Sequence, residues 1–299
     1  MGSRCPVTEV LLTGATGMLG SAFAEALQGR ARIVERRQLD IGNPVSIDTL
    51  VADSGSKVVI NCAADVDAER AEGDPDPAYA SNAILPGLLA TACRRADAVI
   101  VHFSSTGCYG DWKGTPYTEE DALRPTTVHH RSKVSGEGTV RESGAEHLIL
   151  RTGWLYGGSP EHKKNFVWRR LVEAASNSRL ASDTSQFGNP TYVGDVVRQT
   201  LVLLDQRVRG TFNCVANGTA SRYGYVERIV RAGRLSCVLE PAGPFKRLAP
   251  VSPNEMAINY RLDLMNLNRM PEWGQSIDLY VDRLRNTAAW HSLNLPQKK

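Results

Sequence analysis

Several features that mark membrane, secreted and nucleic-acid-binding proteins are missing from this 299-residue sequence. No apolar run approaches the roughly 18 residues that a membrane-spanning helix needs, and the largely polar residues 1–6 give no secretory signal. The net charge is only +3, from 35 Lys and Arg against 32 Asp and Glu, and the basic residues are scattered among acidic ones. We therefore expect no membrane and no nucleic-acid partner.

The cysteines show no C-x-x-C pair, the spacing typical of redox and zinc sites. Several of them lie within apolar runs, where cysteine behaves as a small core residue. Glycine (26 residues) and proline (15 residues) show no period, which excludes a collagen-like chain. We expect a reduced, cytoplasmic protein without a metal site. The six cysteines are Cys5, Cys62, Cys93, Cys108, Cys214 and Cys237.

Short apolar runs alternate with segments of helical spacing in the first half of the chain. This alternation predicts an α/β protein with a Rossmann-type, doubly wound parallel sheet that is covered on both faces. The predicted strands are 10–13, 32–34, 58–61, 99–103 and 147–151, and the predicted helices are 18–27, 78–95 and 127–143.

After residue 151 the pattern loosens, which indicates a smaller, mixed α/β region. Helices are predicted over 166–176 and 193–204, a strand over 210–215, and a last helix over 278–285. We therefore divide the chain into a first domain over 1–150 and a second region over 151–299 that packs on it, with segments that can cross between the two.

A glycine-rich turn follows the first predicted strand and begins the first helix. Glycines let the backbone approach a pyrophosphate, and the helix N-terminus offers free N–H groups. We interpret the turn as a dinucleotide-binding loop and 1–150 as an NAD(P)-binding domain, with an ordinary βα turn as the alternative. The loop residues assigned to the cofactor are Gly14, Thr16, Gly17, Met18, Leu19 and Gly20.

The end of the second predicted strand distinguishes the two dinucleotides, because an acidic residue there binds a ribose 2′-hydroxyl and an arginine accommodates a 2′-phosphate. Arg36 and Arg37 follow this strand and favour NADP(H), whereas the neighbouring Glu35 leaves NAD(H) as an alternative. Asp40 and Ile41 come next, at a spacing suited to the adenine. A solvated charged loop would explain the same residues.

Two further polar segments lie where ligands bind in such sheets, beyond the carboxyl ends of the strands. Ser105 and Thr106 follow the fourth predicted strand, and their hydroxyls can bind a substrate carbonyl; an ordinary Ser/Thr turn is the alternative. His129 and Lys133 are four residues apart, so they share one face of a helix. Alone, this pair predicts a solvated polar face. Together with the hydroxyls and the glycine loop, it becomes a candidate active site.

Longer motifs are more specific than the glycine loop. Taken together, they resemble the dTDP-4-dehydrorhamnose reductase family of the extended short-chain dehydrogenase/reductases. The resemblance covers almost the whole chain and rests mainly on Arg-Thr-x-Trp at 151–154 and Gln-Phe-Gly-x-Pro-Thr at 186–191. Further matching segments are 61–64, 69–72, 104–106, 114–119, 153–157 and 261–263.

The resemblance implies a reaction in which NAD(P)H gives hydride to the C4 carbonyl of a nucleotide-linked 4-keto-6-deoxy sugar while a tyrosine protonates the oxygen. Lys133 and Ser105 match the family's lysine and Ser/Thr. His129 stands at the tyrosine position, and Thr106 stands where the family commonly has Asp.

Through the resemblance, the implied catalytic residues are Ser105, His129 and Lys133. The implied cofactor contacts add Ala63, Ala64 and Lys133 to the loop, and the implied substrate contacts are Ser105, Thr106 and Trp154.

His129 leaves other functions open. Histidine is a competent general acid with an ordinary pKa of about 6.5, and the nearby Lys133 favours its neutral form. One alternative is a reductase for a different nucleotide sugar, in which Thr106 and His129 give the substrate pocket a different shape. Another is a catalytically impaired, NADP-binding regulatory or binding subunit. The oligomeric state, including a homodimer, is also left open.

Overall fold

The computed structural model describes residues 10–293. Its strands are β1 (Val10–Thr13), β2 (Ala31–Val34), β3 (Val58–Asn61), β4 (Val99–Ser105), β5 (His147–Thr152), β6 (Leu155–Tyr156), β7 (Arg179–Asp183), β8 (Phe187–Gly188), β9 (Thr191–Tyr192), β10 (Gly210–Asn213), β11 (Ala220–Ser221) and β12 (Val238–Ala242). Its helices are α1 (Met18–Leu27), α2 (Pro44–Ser54), α3 (Ala68–Gly73), α4 (Asp76–Tyr79), α5 (Leu85–Arg95), α6 (Val128–Glu142), α7 (Phe166–Ser176), α8 (Val193–Asp205), α9 (Arg222–Ala232), α10 (Tyr260–Leu264), α11 (Trp273–Arg285) and α12 (Ala288–His291).

Six strands form one parallel sheet in the order β2-β1-β3-β4-β5-β10. Because side chains alternate across a strand, β1 sends Val10 and Leu12 into one core cluster and Leu11 into the other. The first cluster lies under α1 and α8, and the second lies under α2, α5 and α6. The predicted α/β, doubly wound parallel sheet is therefore confirmed. Because the strands are parallel, the carboxyl ends of all six lie at the same edge of the sheet.

The second half of the chain builds a smaller lobe from three two-stranded ribbons, β6-β9, β8-β11 and β7-β12. Its core is rich in aromatic rings from α7, α9 and α11. Two elements of this half return to the first. β10 pairs in parallel with β5, and Val193, Val196 and Val197 of α8 lie in the same core cluster as β1.

The strand and helix predictions are largely confirmed, and α1 and α7 have the predicted bounds. The helix over 78–95 runs through α4 and α5 with a π-helical turn at Ala80–Ile84 between them. Several elements were missed. α2, α3, α9 and α10 and the strands β7 and β12 were not predicted, and the helix over 278–285 begins earlier, at Trp273, and is followed by α12. Gly274, a poor helix former, conceals its first turn in the sequence.

The strand predicted over 210–215 ends at Asn213. None of the helices between residues 10 and 293 is long and apolar enough to cross a membrane.

Candidate active site

The glycine-rich loop joins β1 to α1 at the carboxyl edge of the sheet. Gly14 has a left-handed backbone (φ +67°), and a Cβ there would lie 2.5 Å from the backbone of Cys62 and Ala63. A Cβ on Gly20 would overlap the carbonyl of Gly14. Both positions therefore require glycine. The Gly17 amide donates to the Gly14 carbonyl over 3.0 Å, which closes the turn.

The N-terminus of α1 is open for an anion. Gly17 is its N-cap residue, without a side chain to cap the first N–H groups, and the first turn holds no acidic residue. These free N–H groups and the positive end of the helix dipole suit a phosphate. Leu19 packs in the core, so only its main chain can face a cofactor, whereas Thr16 is exposed.

A buried hydrogen-bond chain joins three neighbouring strands near their carboxyl ends. Thr13 Oγ1 donates to Asn61 Oδ1 over 2.6 Å, and Asn61 Nδ2 lies 3.3 Å from His102 Nδ1. The Ala63 amide donates to Asn61 Oδ1 over 3.2 Å. These bonds hold Ala63, and with it the following Ala64, beside the glycine loop.

Arg36 and Arg37 lie in a 3₁₀ turn after β2, and both side chains are exposed. Arg37 Nε forms an exposed ion pair with Glu35 Oε2 over 2.6 Å. Asp40 and Ile41 follow in an exposed loop. Because β2 is the edge strand beside β1, these residues lie on the glycine-loop side of the sheet, three strands away from β4.

Lys133 brings α6 against the end of β4. Its buried Nζ donates to the Phe103 carbonyl over 3.0 Å, and burial lowers the pKa of Lys133 to about 8. Its positive charge acts on the thiol of Cys62, so the two side chains lie near each other. The backbone of Cys62 in turn lies against Gly14 of the loop, where an added Cβ would be 2.5 Å away. Lys133 and the glycine loop therefore approach the same point on the sheet edge.

The first turn of α6 is fixed at two points. The N-cap residue Thr127 accepts the His130 amide with its Oγ1 over 3.1 Å, and Glu72 of α3 accepts the Val128 amide over 2.7 Å. A helix N-terminus so capped is rigid. It therefore holds the side chain of His129, in the same turn, in a defined place.

His129 has a strongly altered pKa. Burial, with the charges of His130 and Lys133, lowers it to about 3, while the Asp65 backbone acts in the opposite direction. Its Nδ1 atom is buried and has no hydrogen-bond partner in the described part of the chain. The imidazole is therefore neutral at physiological pH and carries one N–H.

Ser105 and Thr106 lie at the end of β4, on the turn that follows it. Ser105 Oγ accepts the Gly107 amide over 3.2 Å, which leaves its own hydroxyl proton free to donate. Thr106 is buried, and a Cβ on Gly153 would lie 2.7 Å from its Oγ1. Thr106 thus packs against the segment that carries Trp154.

Trp154 lies between β5 and β6, and its ring packs against residues of the second lobe. Its backbone is left-handed (φ +38°), a strained conformation for a large residue. Its Nε1 donates to Glu255 Oε2 over 2.6 Å, and the Arg222 guanidinium lies 3.5 Å from the ring centroid. A Cβ on Gly188 would lie 2.5 Å from the ring. The ring is therefore held from several sides.

Two adjoining cavities of about 450 Å³ and 230 Å³ lie in the second lobe, and Arg222, which stacks on Trp154, lines the smaller one. The smaller cavity is lined by Arg170, Arg222 and Arg247 together with the rings of Phe166 and Phe245. Burial lowers the pKa of Arg222, and the charges of Arg247 and Arg170 act in the same direction. Three arginines beside two aromatic rings give this pocket the chemistry of an anion-binding and ring-binding site.

A buried ion pair ties α6 to the sheet. Arg151 binds both carboxylate oxygens of Glu137, at 2.9 Å and 2.7 Å, and its third nitrogen donates to Tyr109 Oη over 3.0 Å. Both partners are buried, and Arg151 holds the pKa of Glu137 below its ordinary value. This contact fixes the helix on which His129 and Lys133 lie.

The structure brings the loop, Lys133, Ser105, Thr106 and Trp154 to one edge of the sheet. The Arg36 and Asp40 segment lies further along that edge. The sequence did not predict that Arg170, Arg222, Arg247 and Glu255 contribute to the cleft. A large sequence separation explains this, since Trp154 and Glu255 are 101 residues apart.

A parallel sheet with an open glycine loop and a lysine-bearing helix at its carboxyl edge defines a Rossmann-type, dinucleotide-dependent oxidoreductase. The family model described as "RmlD substrate binding domain" matches residues 8–285. A dTDP-4-dehydrorhamnose reductase of Mycobacterium tuberculosis is 33% identical over 284 residues, which cover 90% of this chain and 91% of that protein. The chain belongs to the dTDP-4-dehydrorhamnose reductase family.

Solved structures agree with this assignment. A dTDP-4-dehydrorhamnose reductase of Clostridium acetobutylicum superposes with a TM-score of 0.87 at 30% identity, over 92% of this chain and 99% of that one. The enzyme of Bacillus anthracis, solved in complex with NADP, gives a TM-score of 0.87 at 25% identity over the same shares. These names favour an enzyme over a non-catalytic binding subunit.

Proposed function

We propose that the protein reduces the C4 carbonyl of a nucleotide-linked 4-keto-6-deoxy sugar with NAD(P)H, as a dTDP-4-dehydrorhamnose reductase does. The observation that carries this proposal is the position of Lys133. Its buried ammonium group donates to the Phe103 carbonyl in β4. Its charge also acts on Cys62, which follows β3 and packs against Gly14 of the glycine loop. A cationic group at this place can serve both a bound dinucleotide and a developing negative charge on substrate oxygen.

The residues at the loop fit a nicotinamide dinucleotide. Gly14 and Gly20 leave no room for side chains, and the uncapped N-terminus of α1 offers N–H groups to a pyrophosphate. When bound, the cofactor supplies a hydride. We further propose that NADP(H) is preferred, since the exposed Arg36 and Arg37 can bind a 2′-phosphate with charge-assisted hydrogen bonds.

The second lobe suits the nucleotide part of such a substrate. Arg170, Arg222 and Arg247 match a diphosphate in charge, and Phe166 and Phe245 can pack on a base or sugar ring. Residues 1–150 then act as the cofactor domain and 151–299 as the substrate region. β10 and α8 cross back to the sheet.

His129 is the proton donor in this proposal. Its neutral ring passes the N–H proton to the C4 oxygen while its other nitrogen takes a proton from the Lys133 ammonium, whose charge acts on the same ring, so that no imidazolate forms. Ser105, with a free hydroxyl proton, donates a hydrogen bond to the same oxygen. A cytoplasmic location and a homodimer stay predictions.

The test is a panel of nucleotide-linked 4-keto-6-deoxy sugars with NADPH and with NADH, in which oxidation of the cofactor is followed. Turnover of a 4-keto sugar with preference for NADPH supports the proposal. Replacement of Arg36 and Arg37 by alanine should weaken the binding of NADPH much more than the binding of NADH. If no member of the panel oxidises either cofactor, the reductase function is wrong.

A further inference from the structure

His130, the neighbour of His129 in α6, has no part in the function proposed above. The residue is 7% exposed, and its ring packs directly on Gly107 of the turn after β4. A Cβ at position 107 would overlap the His130 ring and lie 2.7 Å from Nδ1. Only glycine at position 107 leaves the ring where it is.

The hydrogen bonds of Thr127 define the tautomer of His130. Thr127 Oγ1 accepts the His130 amide over 3.1 Å and lies 3.0 Å from His130 Nδ1. Thr127 is fully buried, and its hydroxyl has no other acceptor among residues 10–293. A buried hydroxyl proton needs an acceptor, so Thr127 donates to Nδ1. The ring proton of His130 is therefore on Nε2.

The Nε2–H group lies against Gly107, on the turn that follows β4, since a Cβ at position 107 would overlap Nε2. It makes no hydrogen bond to the described residues. Since His130 Nε2 is absent from the fully buried side-chain atoms that lack a partner, this atom retains some accessible surface. The ring lies against the turn that carries Thr106, which packs on Gly153 beside Trp154. The charged and titratable groups that act on His130 are Glu255, Lys133, Glu72 and His129.

We infer that His130 Nε2–H donates a hydrogen bond to a sugar oxygen of the nucleotide-linked substrate and so sets the position of the sugar ring before reduction. This inference rests on the proposed function and adds a specificity residue to it. The donor is neutral and preorganised, because Thr127 determines the tautomer and Gly107 the ring position. It therefore acts on substrate binding, whereas His129 acts on the chemical step.

Three substitutions test the inference by steady-state kinetics. His130→Phe keeps a ring but removes the N–H, and the KM for the 4-keto sugar should rise about tenfold while the KM for NADPH stays unchanged. His130→Gln carries an amide N–H at a similar reach and should restore most of the lost affinity. Gly107→Ala should reproduce the His130→Phe effect by displacing the ring.

Gly114→Ala is the matched control, since a Cβ there meets nothing within 4 Å, and it should leave both KM values unchanged. Thermal unfolding of each variant shows that it is folded. An unchanged sugar KM in His130→Phe, or an equal rise in both KM values, overturns the inference. If the parent protein turns over no 4-keto sugar, the proposed function fails instead. Calorimetric binding of a dTDP-sugar to the parent and to His130→Phe then decides the role of His130 separately.

Discussion

At the residue scale, the account depends on His129, which the family resemblance places at the position of the catalytic tyrosine. The structure gives the ring a rigid support, because its helix turn is capped by Thr127 and Glu72. It also keeps the imidazole neutral, because burial and the charges of His130 and Lys133 lower its pKa to about 3. A neutral ring with one N–H can donate a hydrogen bond to a substrate oxygen at physiological pH and relay a proton from Lys133 to it.

The substitution His129→Ala should lower kcat by roughly 10²–10⁴-fold, the usual contribution of general acid catalysis. Cofactor affinity should change little, because Lys133 and the glycine loop remain. His129→Tyr should maintain or raise kcat, since phenol restores a longer acid beside Lys133. Stopped-flow measurement of cofactor oxidation and titration of NADPH binding check both results. Activity that is indifferent to both changes would assign the proton to water, Ser105 or Thr106.

The pH dependence of kcat/KM should reflect the titration of Lys133 and not that of a histidine with its ordinary pKa. The pKa of Lys133 is lowered to about 8, so kcat/KM should be level from pH 5 to 7 and fall as the ammonium deprotonates above about pH 8. The folded pKa lies below the unfolded value of about 10.4, so the contribution of this lysine to stability rises between those values. Unfolding therefore does not explain the loss of rate. An inflection near pH 6.5 would contradict this assignment.

Residues of the cleft divide into those that the sequence could predict and those that it could not. The glycine loop, Ser105, His129 and Lys133 follow predicted strands or share a predicted helix, so local spacing identifies them. Arg222 contacts Gln186 across 36 residues and Trp154 binds Glu255 across 101. Such pairs have no local pattern, because the fold of the second lobe alone brings them together.

At the scale of elements, α6 carries the chemistry, and a buried ion pair positions it. Arg151→Leu should leave the Glu137 carboxylate buried and lower the free energy of unfolding by about 3–5 kcal/mol. The double variant with Glu137→Leu should lose less, since no buried charge is then left unpaired; Arg141, which also pairs with Glu137, is partly exposed. Urea unfolding measures both. Glu146→Gln, which breaks the exposed pair with Arg209, is the control and should cost about 0–1 kcal/mol. Equal losses in Arg151→Leu and the control would contradict this role.

The elements themselves were predictable where apolar periodicity and turn residues agree. α1 and α7 have clear apolar faces and were predicted with their bounds. α2 carries signals that were overlooked, since Asn43 caps its N-terminus, Pro44 occupies its first turn and Gly55 ends it. The two-residue strands β6, β8, β9 and β11 are too short for any alternation to show.

At the scale of the whole molecule, both halves of the chain contribute to the core cluster that contains β1. Leu12 of β1 and Phe103 of β4 lie in a cluster with Val197 of α8 and Phe212 of β10. The chain should therefore unfold in a single cooperative transition. Tryptophan fluorescence, which reports mainly on the second half, and hydrogen exchange of β1 and β3 should give the same midpoint in urea. Two separate midpoints would show that the lobes are independent.

The central claim is that hydride passes from the cofactor to C4 of a nucleotide-linked sugar at this site. The most direct measurement uses NADPH deuterated at the transferable position of the nicotinamide, with dTDP-4-keto-6-deoxy sugar as substrate, and locates the label in the product by mass spectrometry and NMR. The account predicts one deuterium at C4 of the sugar, with its rate of appearance lowered in His129→Ala. Absence of label from C4, with the cofactor unchanged, would contradict it.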